Sequence, residues 1–461
     1  MLDTLYLLAA TAPDRLALVE KTRQVPYGEL TRQIDDAATA LRSADIGPGE
    51  RLLFWDTGKA AYLITLLACM QEQVTLVPLH PQTPAAWRAS VAAQLNAAAA
   101  TPGLAALQHG ELERQPGERV AGDPDVLAIL MTSGTTGAPK GVPVHAAMAT
   151  AAAHNTVAVF GLDADSRFLD YIPPFTVGGL FLTGLPMLLA GCTSLVRSFS
   201  PFAFAGAVTE GRPTHAILLP TMVAVLRNTS SWPQVDLSGF AAIGSGASTV
   251  PESVAEELLA RGAQRFLHLY GSTECLTPVM VHASTRQSAG ERTIFSELCG
   301  DYQARLADDG ELLLRGTAVM RGYLGAAVQN QEAFKDGWFK TGDLFQQESD
   351  AWRISGRKKE VLKVGGFSVS PALTEKTILD LPGVRNCAVV KETLRSGGEA
   401  LVAVVEGDAV TPRAVLHHCA DRLPPVQTPR RVLIVDALPL NAMRKIDRQA
   451  VAALVATYDP R

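Results

Sequence analysis

The stretch Leu130-Met131-Thr132-Ser133-Gly134-Thr135-Thr136-Gly137-Ala138-Pro139-Lys140-Gly141 constrains this chain most. Three glycines, four hydroxyl side chains and one lysine fall within ten residues. The apolar run Val126 to Met131 leads in and reads as a buried strand. Glycines admit unusual backbone angles and close ligand approach. Ser and Thr hydroxyls and bare N–H groups donate to phosphate oxygens, and lysine adds charge. The chemistry suggested is a triphosphate clamp. It is not the common P-loop, which needs glycine directly before the lysine and Ser or Thr after it; here Pro139 precedes Lys140 and Gly141 follows. A flexible Gly/Thr loop has the same composition and stands as the alternative reading.

The surrounding chain alternates between strand and helix patterns, which favours sheets with helices on their faces. Helical patterns cover Leu5–Leu18, Tyr27–Leu41, Lys59–Met70, Trp87–Ala100, Ala146–Phe160, Thr221–Arg227 and Val250–Arg261. Strand patterns cover Arg51–Trp55, Val74–Leu79, Arg167–Tyr171, Thr193–Val196, His215–Leu219, Ala241–Ser245 and Gln264–Tyr270. Strand ends are where such sheets hold ligands. Glu311–Gly316 and Trp352–Ile354 suggest a smaller β subdomain, and a compact α+β unit follows a boundary near Lys358 and Lys359. Val177 to Val196 has no charge and is long enough to span a bilayer. Its internal glycines and Pro186 favour a helix buried between layers.

At 461 residues the chain exceeds one ordinary core. Hydrophobic content of 47% and charged content of 19% describe a soluble globular protein, for which a cytoplasmic location is expected. A net charge of −5 gives no reason to expect nucleic acid or an anionic membrane. The six cysteines show no CxxC or metal-ligand spacing and read as reduced thiols. The N-terminus carries Asp3 and no early basic residue, which argues against a signal peptide.

Four further blocks follow the loop: Tyr270-Gly271-Ser272-Thr273-Glu274, Trp338-Phe339-Lys340-Thr341-Gly342-Asp343, Gly356-Arg357-Lys358-Lys359-Glu360 and Lys445. In type and order the five resemble the adenylate-forming superfamily of acyl-CoA synthetases, peptide-synthetase adenylation domains and luciferases. The resemblance runs from about Val25 to about Val451 and is closest in type to a short acyl- or aryl-acid CoA ligase. It implies an α/β fold: a large N-terminal domain of β-sheets layered with helices plus a β subdomain, residues 1–358, and a small α+β C-terminal domain that rotates, residues 359–461.

It also implies the ligands, namely ATP, Mg2+ and CoA or a carrier-protein phosphopantetheine, and the residues that meet them. Thr132, Ser133, Gly134, Thr135, Thr136, Gly137 and Lys140 would clamp the phosphates, with Thr136 among the catalytic groups. Glu274 would hold magnesium, since a hard cation takes oxygen ligands. Tyr270 would stack on adenine within the block Gly271, Ser272, Thr273. Gly246, Ala247 and Ser248 would line the adenine and acyl sites. Asp343 would accept from both ribose hydroxyls and Arg357 would touch ribose or phosphate. Lys359 falls at the family's hinge, where many members have aspartate. Lys363 would enter the site for the second half-reaction, and a strand-and-turn role competes equally for it. Lys445 would stabilise charge between the acyl carboxylate and the α-phosphate. Members usually have glycine before this lysine; here it is Arg444.

The acyl pocket implied is Phe175, Thr176, Val177, Gly178, Ile217, Met222, Cys275 and Leu276. Amino-acid adenylation domains have aspartate at the position of Thr176, and many acyl-CoA synthetases have histidine. A neutral hydroxyl cannot pair with an ammonium, so an α-amino acid is disfavoured and an aromatic or medium aliphatic acid fits. Three other readings stand beside CoA ligation: loading of a carrier protein, a non-catalytic nucleotide-binding homologue, and a membrane-bound fatty-acyl ligase.

Overall fold

The computed structural model describes residues 1–20, 23–114, 121–132, 140–247, 250–287, 294–349, 351–360, 362–364, 367–369, 371–393, 399–423, 425–440 and 446–458. Two large sheets organise the first part. One has nine strands in the order Glu297–Leu298, Leu276–Ser284, Phe266–Ser272, Ala242–Gly246, His215–Ile217, Arg167–Asp170, Thr193–Val196, Leu16–Glu20, Arg23–Pro26. The other has six: Glu113–Arg114, Ala99–Thr101, Arg51–Phe54, Thr75–Pro78, Val126–Thr132, Lys140–His145. The helix Lys59–Gln71 is apolar on nearly every side, with Ala60 to Cys69 buried. It touches both sheets, as a helix without a polar face must. A third sheet, built on Glu311–Arg315, Trp338–Glu348 and Ala351–Arg357, forms a β unit beside them.

Several strands run parallel in register, His215↔Ala242 and Ile243↔Phe266 among them, so Ile217, Gly246 and Ser272 end along one edge. Thr132 and Lys140 are cross-strand partners and close the clamp loop. After Phe367 the chain has its own core. Val384–Thr393, Glu399–Gly407 and Arg431–Val435 make a three-stranded sheet. One apolar cluster includes Ile378, Ala403 and Val415, and another includes Val402, Val404 and Val451.

Three segments differ from their sequence pattern. Val177–Val196 is not one buried helix but a π-helical turn Gly178–Leu182 and a helix Leu185–Ala190, followed by the strand Thr193–Val196 that its own pattern indicates. Gly191 takes a left-handed conformation that ends the helix, with φ +73°. Among the described residues no helix is long and apolar enough to cross a membrane. The helix of the alanine-rich stretch is Ala85–Gln94, and Ala99–Thr101 pairs as a strand with Leu52 to Phe54. Sheet pairing there overrides alanine's helix propensity. The first helix is Leu2–Thr11, and Leu16 onward is strand.

Candidate active site

The edge where the parallel strands end carries backbone that side chains rarely adopt. Ala247 has φ +64° just past strand Ala242–Gly246, and Leu276 has φ +50° where the chain reverses after Glu274. Left-handed non-glycine residues cost free energy and cluster at functional sites. Gly246 and Gly271 have packing reasons to lack a side chain. A Cβ on Gly246 would lie 2.4 Å from the Leu269 carbonyl oxygen, and one on Gly271 would lie 2.1 Å from Thr277 Oγ1.

Asp343 lies on the β unit, opposite Arg357 in the antiparallel register. It is 2% exposed. Tyr270 donates its hydroxyl to Asp343 Oδ2 at 2.7 Å. Arg357 Nε sits 2.7 Å from the buried Oδ1. Burial pushes the Asp343 carboxyl above its ordinary value, with Arg357 pulling the other way. Burial and the Asp343 charge push the Tyr270 hydroxyl up. The Tyr270 ring packs against Phe295 and Phe345 at 5.8 and 5.1 Å between centroids. The loop is held from below: Asp343 N donates to Thr341 Oγ1 at 3.1 Å and Gly342 N to Glu311 Oε1 at 3.0 Å. Glu311 Oε2 accepts from Lys358 Nζ at 2.9 Å, and Lys358 also reaches Asp309 at 2.5 Å.

Glu274 and Lys140 come from different sheets and meet at one side chain the sequence reading did not single out. Tyr323 donates its hydroxyl to Glu274 Oε1 at 3.0 Å, and Lys140 Nζ lies 4.8 Å from the centre of the Tyr323 ring. Thr132, beside Lys140, donates its hydroxyl to the Lys140 carbonyl at 3.2 Å. Nothing in the composition around Tyr323 marks it; only the tertiary meeting of two sheets does. Ser272 and Thr273 are partly buried at the same turn, and Ser272 Oγ contacts Cys275 Sγ at 3.3 Å.

On the proposed acyl side, Phe175 and Val177 pack partly buried against the main core, to which Ile217, Cys275 and Leu276 belong as buried members. Met222 packs against a second core, with Leu169, Leu218 and Val223. Phe175 meets His80 edge-on at 4.6 Å. Thr176 donates to the Pro173 carbonyl at 2.8 Å and accepts from Gly179 N at 3.1 Å, so its hydroxyl caps the π turn that includes Gly178. Just before this loop Asp170 forms a fully buried pair with Lys59, whose Nζ also donates to Thr183 at 2.7 Å.

Ser133, Gly134, Thr135, Thr136, Gly137, Ser248, Arg444 and Lys445 lie outside the described residues. Lys359 falls in the 3-10 turn Lys358–Glu360 and Lys363 in strand Leu362–Val364, but their side chains also lie outside the description.

The residues present fit a nucleotide and a divalent ion. Each carboxylate oxygen of Asp343 has one neighbouring donor, Tyr270 on Oδ2 and Arg357 on Oδ1, and a second lone pair on each could accept from a ribose hydroxyl. Among the described residues no three His, Cys, Asp or Glu side chains gather to hold a metal unaided. A magnesium ion at Glu274 would therefore complete its shell with phosphate and water oxygens, the usual pattern for that ion.

Comparison with known proteins agrees with this geometry. The AMP-binding enzyme family model matches residues 7–106 and 93–324, and the AMP-binding enzyme C-terminal domain model matches residues 373–445. The chain is 31% identical to a feruloyl-CoA synthase of Amycolatopsis over 95% of both chains. It is 29% identical to an indoleacetate–CoA ligase of Aromatoleum aromaticum over 97% of this chain and 96% of the relative. Its fold is similar to that of Bacillus subtilis o-succinylbenzoate CoA synthetase in complex with its acyl-adenylate intermediate. The TM-score is 0.84 at 21% identity, over 99% of this chain and 98% of the other. The chain belongs to the AMP-binding enzyme family and has the α/β fold of adenylate-forming enzymes.

Proposed function

We propose that this protein is an ATP-dependent acid–thiol ligase that activates an aromatic or medium aliphatic carboxylic acid as acyl-AMP and transfers the acyl group to CoA. In the first half-reaction the acid's carboxylate oxygen attacks the α-phosphorus and pyrophosphate leaves. In the second the thiolate sulfur attacks the acyl carbonyl carbon and AMP leaves. No side-chain nucleophile is needed; positioning and charge stabilisation lower the barrier. The observation that carries the reading is the buried Asp343 carboxylate, held by Tyr270 and paired with Arg357, together with the meeting of Glu274 and Lys140 at Tyr323.

In this reading Asp343 holds the ribose, with Tyr270 fixing its carboxylate. Lys140, Thr132 and the loop residues Ser133, Gly134, Thr135, Thr136 and Gly137 hold the phosphates. Gly246, Ala247 and Ser248 border the adenine. Magnesium at Glu274 supplies charge neutralisation between phosphate oxygens. Lys445 acts in the first half-reaction and Lys363 in the second, with Lys359 as the pivot between residues 1–358 and 359–461. The separate cores beyond Phe367 support that division. Phe175, Thr176, Val177, Gly178, Ile217, Cys275 and Leu276 form the acyl side.

CoA is preferred over a carrier protein because the relatives that match over nearly their whole length are named CoA ligases. The test is incubation with ATP, magnesium and a panel of aryl and aliphatic acids, with and without CoA. Acid-dependent AMP and pyrophosphate, and one acyl-CoA per AMP, are the expected products. Adenylate formed without acyl-CoA, but discharged onto a phosphopantetheinylated carrier, would shift the acceptor. No nucleotide turnover with any acid would favour the non-catalytic alternative.

A further inference from the structure

Two opposite charges from different sheets, Lys140 and Glu274, both touch Tyr323, and they form no ion pair with each other. An unscreened lysine and carboxylate in one partly buried site attract strongly. Left to themselves they would close on each other, and the lysine would take the place of a metal ion and phosphate. Tyr323 is in contact with both. Its face attracts the ammonium, as aromatic faces do within about 6 Å. Its hydroxyl holds Oε1 of the carboxylate. One side chain therefore contacts both charges.

The backbone around Tyr323 is built to hold that position. Met320 N donates to the Glu274 carbonyl at 2.7 Å, and Leu324 N donates to the Gly141 carbonyl at 2.9 Å. The segment thus ties the turn after strand Phe266–Ser272 to the clamp strand Lys140–His145. Asn330 brackets the peptide of Tyr323: its Oδ1 accepts from Tyr323 N at 2.7 Å and its Nδ2 donates to the Tyr323 carbonyl at 2.9 Å. Gly322 has φ +146°, and a Cβ there would stand 3.0 Å from Asn330 Nδ2, so a side chain would disturb the bracket.

We infer that Tyr323 is a positioning residue of the nucleotide site, a spacer that presents Glu274 to a divalent ion and Lys140 to phosphate as two separate groups. The inference rests on the proposed roles of Glu274 and Lys140.

The test is calorimetric titration of the full-length protein with ATP at a series of magnesium concentrations, alongside pyrophosphate exchange. Tyr323→Phe removes the hydroxyl and keeps the ring. It should raise the magnesium concentration for half-maximal ATP binding about tenfold, the scale of one hydrogen bond to a charged group. Metal-free ATP binding and the KM for the acid should not change. Tyr323→Leu also removes the ring face and should weaken metal-free ATP binding as well. If the wild type binds ATP with magnesium and Tyr323→Phe has the same magnesium dependence, the spacer role is wrong and the site reading stands. If Tyr323→Phe lowers ATP binding and acid use alike, with no magnesium shift, Tyr323 is merely structural. If the wild type binds no ATP at any magnesium concentration, the site reading itself falls and the spacer with it. Should Tyr323→Leu fail to fold, the isosteric Phe variant alone decides.

Discussion

As the proposed ribose acceptor, Asp343 would be ionised only above its own pKa. Burial has moved that pKa above the ordinary aspartate range near 4. A protonated carboxyl has lost an acceptor site for ribose, so ATP affinity should fall on acidification at a higher pH than an ordinary aspartate would give. Asp343→Asn should bind ATP about tenfold more weakly at neutral pH and lack this pH dependence. The stability effect has the opposite sense. A group whose folded pKa is raised contributes stability below its unfolded pKa, and loses it as pH rises through the folded value. Asp343→Asn should therefore match the wild type at low pH and gain on it toward neutrality, measured by urea titration at several pH values. Thr176 allows a cleaner substitution than its pocket role suggested. Its hydroxyl accepts from Gly179 N, and a carboxylate can do the same. Thr176→Asp keeps the acceptor for Gly179 N but loses the donation to the Pro173 carbonyl, so it should cost about 1 kcal/mol of stability and depress kcat/KM for uncharged acids, because the new charge repels the substrate carboxylate. An unchanged acid profile would remove Thr176 from the acyl side.

At the scale of elements, the helix Lys59–Gln71 is locked to the strand end at Asp170 by a pair with no exposed surface. Burial pulls the Lys59 pKa down while Asp170 opposes it. Removing one partner leaves a buried charge uncompensated, so Lys59→Met should cost about 3–5 kcal/mol in chemical denaturation. Lys59→Met with Asp170→Asn should recover most of that, because the amide oxygen can still accept from Ile172 N at 2.9 Å. Local pattern was informative for elements that carry their own signal. Tyr27–Ser43 has one buried face, and Ala146–Phe160 ends at a left-handed glycine. It was uninformative where partners decide. Ala99 is strand because Leu52 lies beside it, and the uncharged run after Val177 is broken by glycine conformations rather than by polarity. In the same way the motifs pointed to Asp343, Glu274 and Lys140, whereas Tyr323 emerges only where two sheets meet.

At the scale of the molecule, the account requires one nucleotide site and two presentations of the C-terminal part. Lys358 is fixed to the β unit through Asp309 and Glu311, and Glu311 also holds the Asp343 loop. If the C-terminal part turns as proposed, these contacts would place its pivot beyond Lys358, at the proposed hinge Lys359. Lys359→Pro should spare adenylation and slow thioester formation, measured as separate half-reactions, since a fixed φ blocks the turn rather than the first chemistry. The most direct measurement is the pair of half-reactions in Lys445→Ala. Pyrophosphate exchange should fall by about two orders of magnitude or more, on the order of 3 kcal/mol of lost transition-state stabilisation, while acyl transfer from supplied acyl-adenylate to CoA continues. Equal loss of both half-reactions, in a folded protein that still binds ATP, would contradict the account.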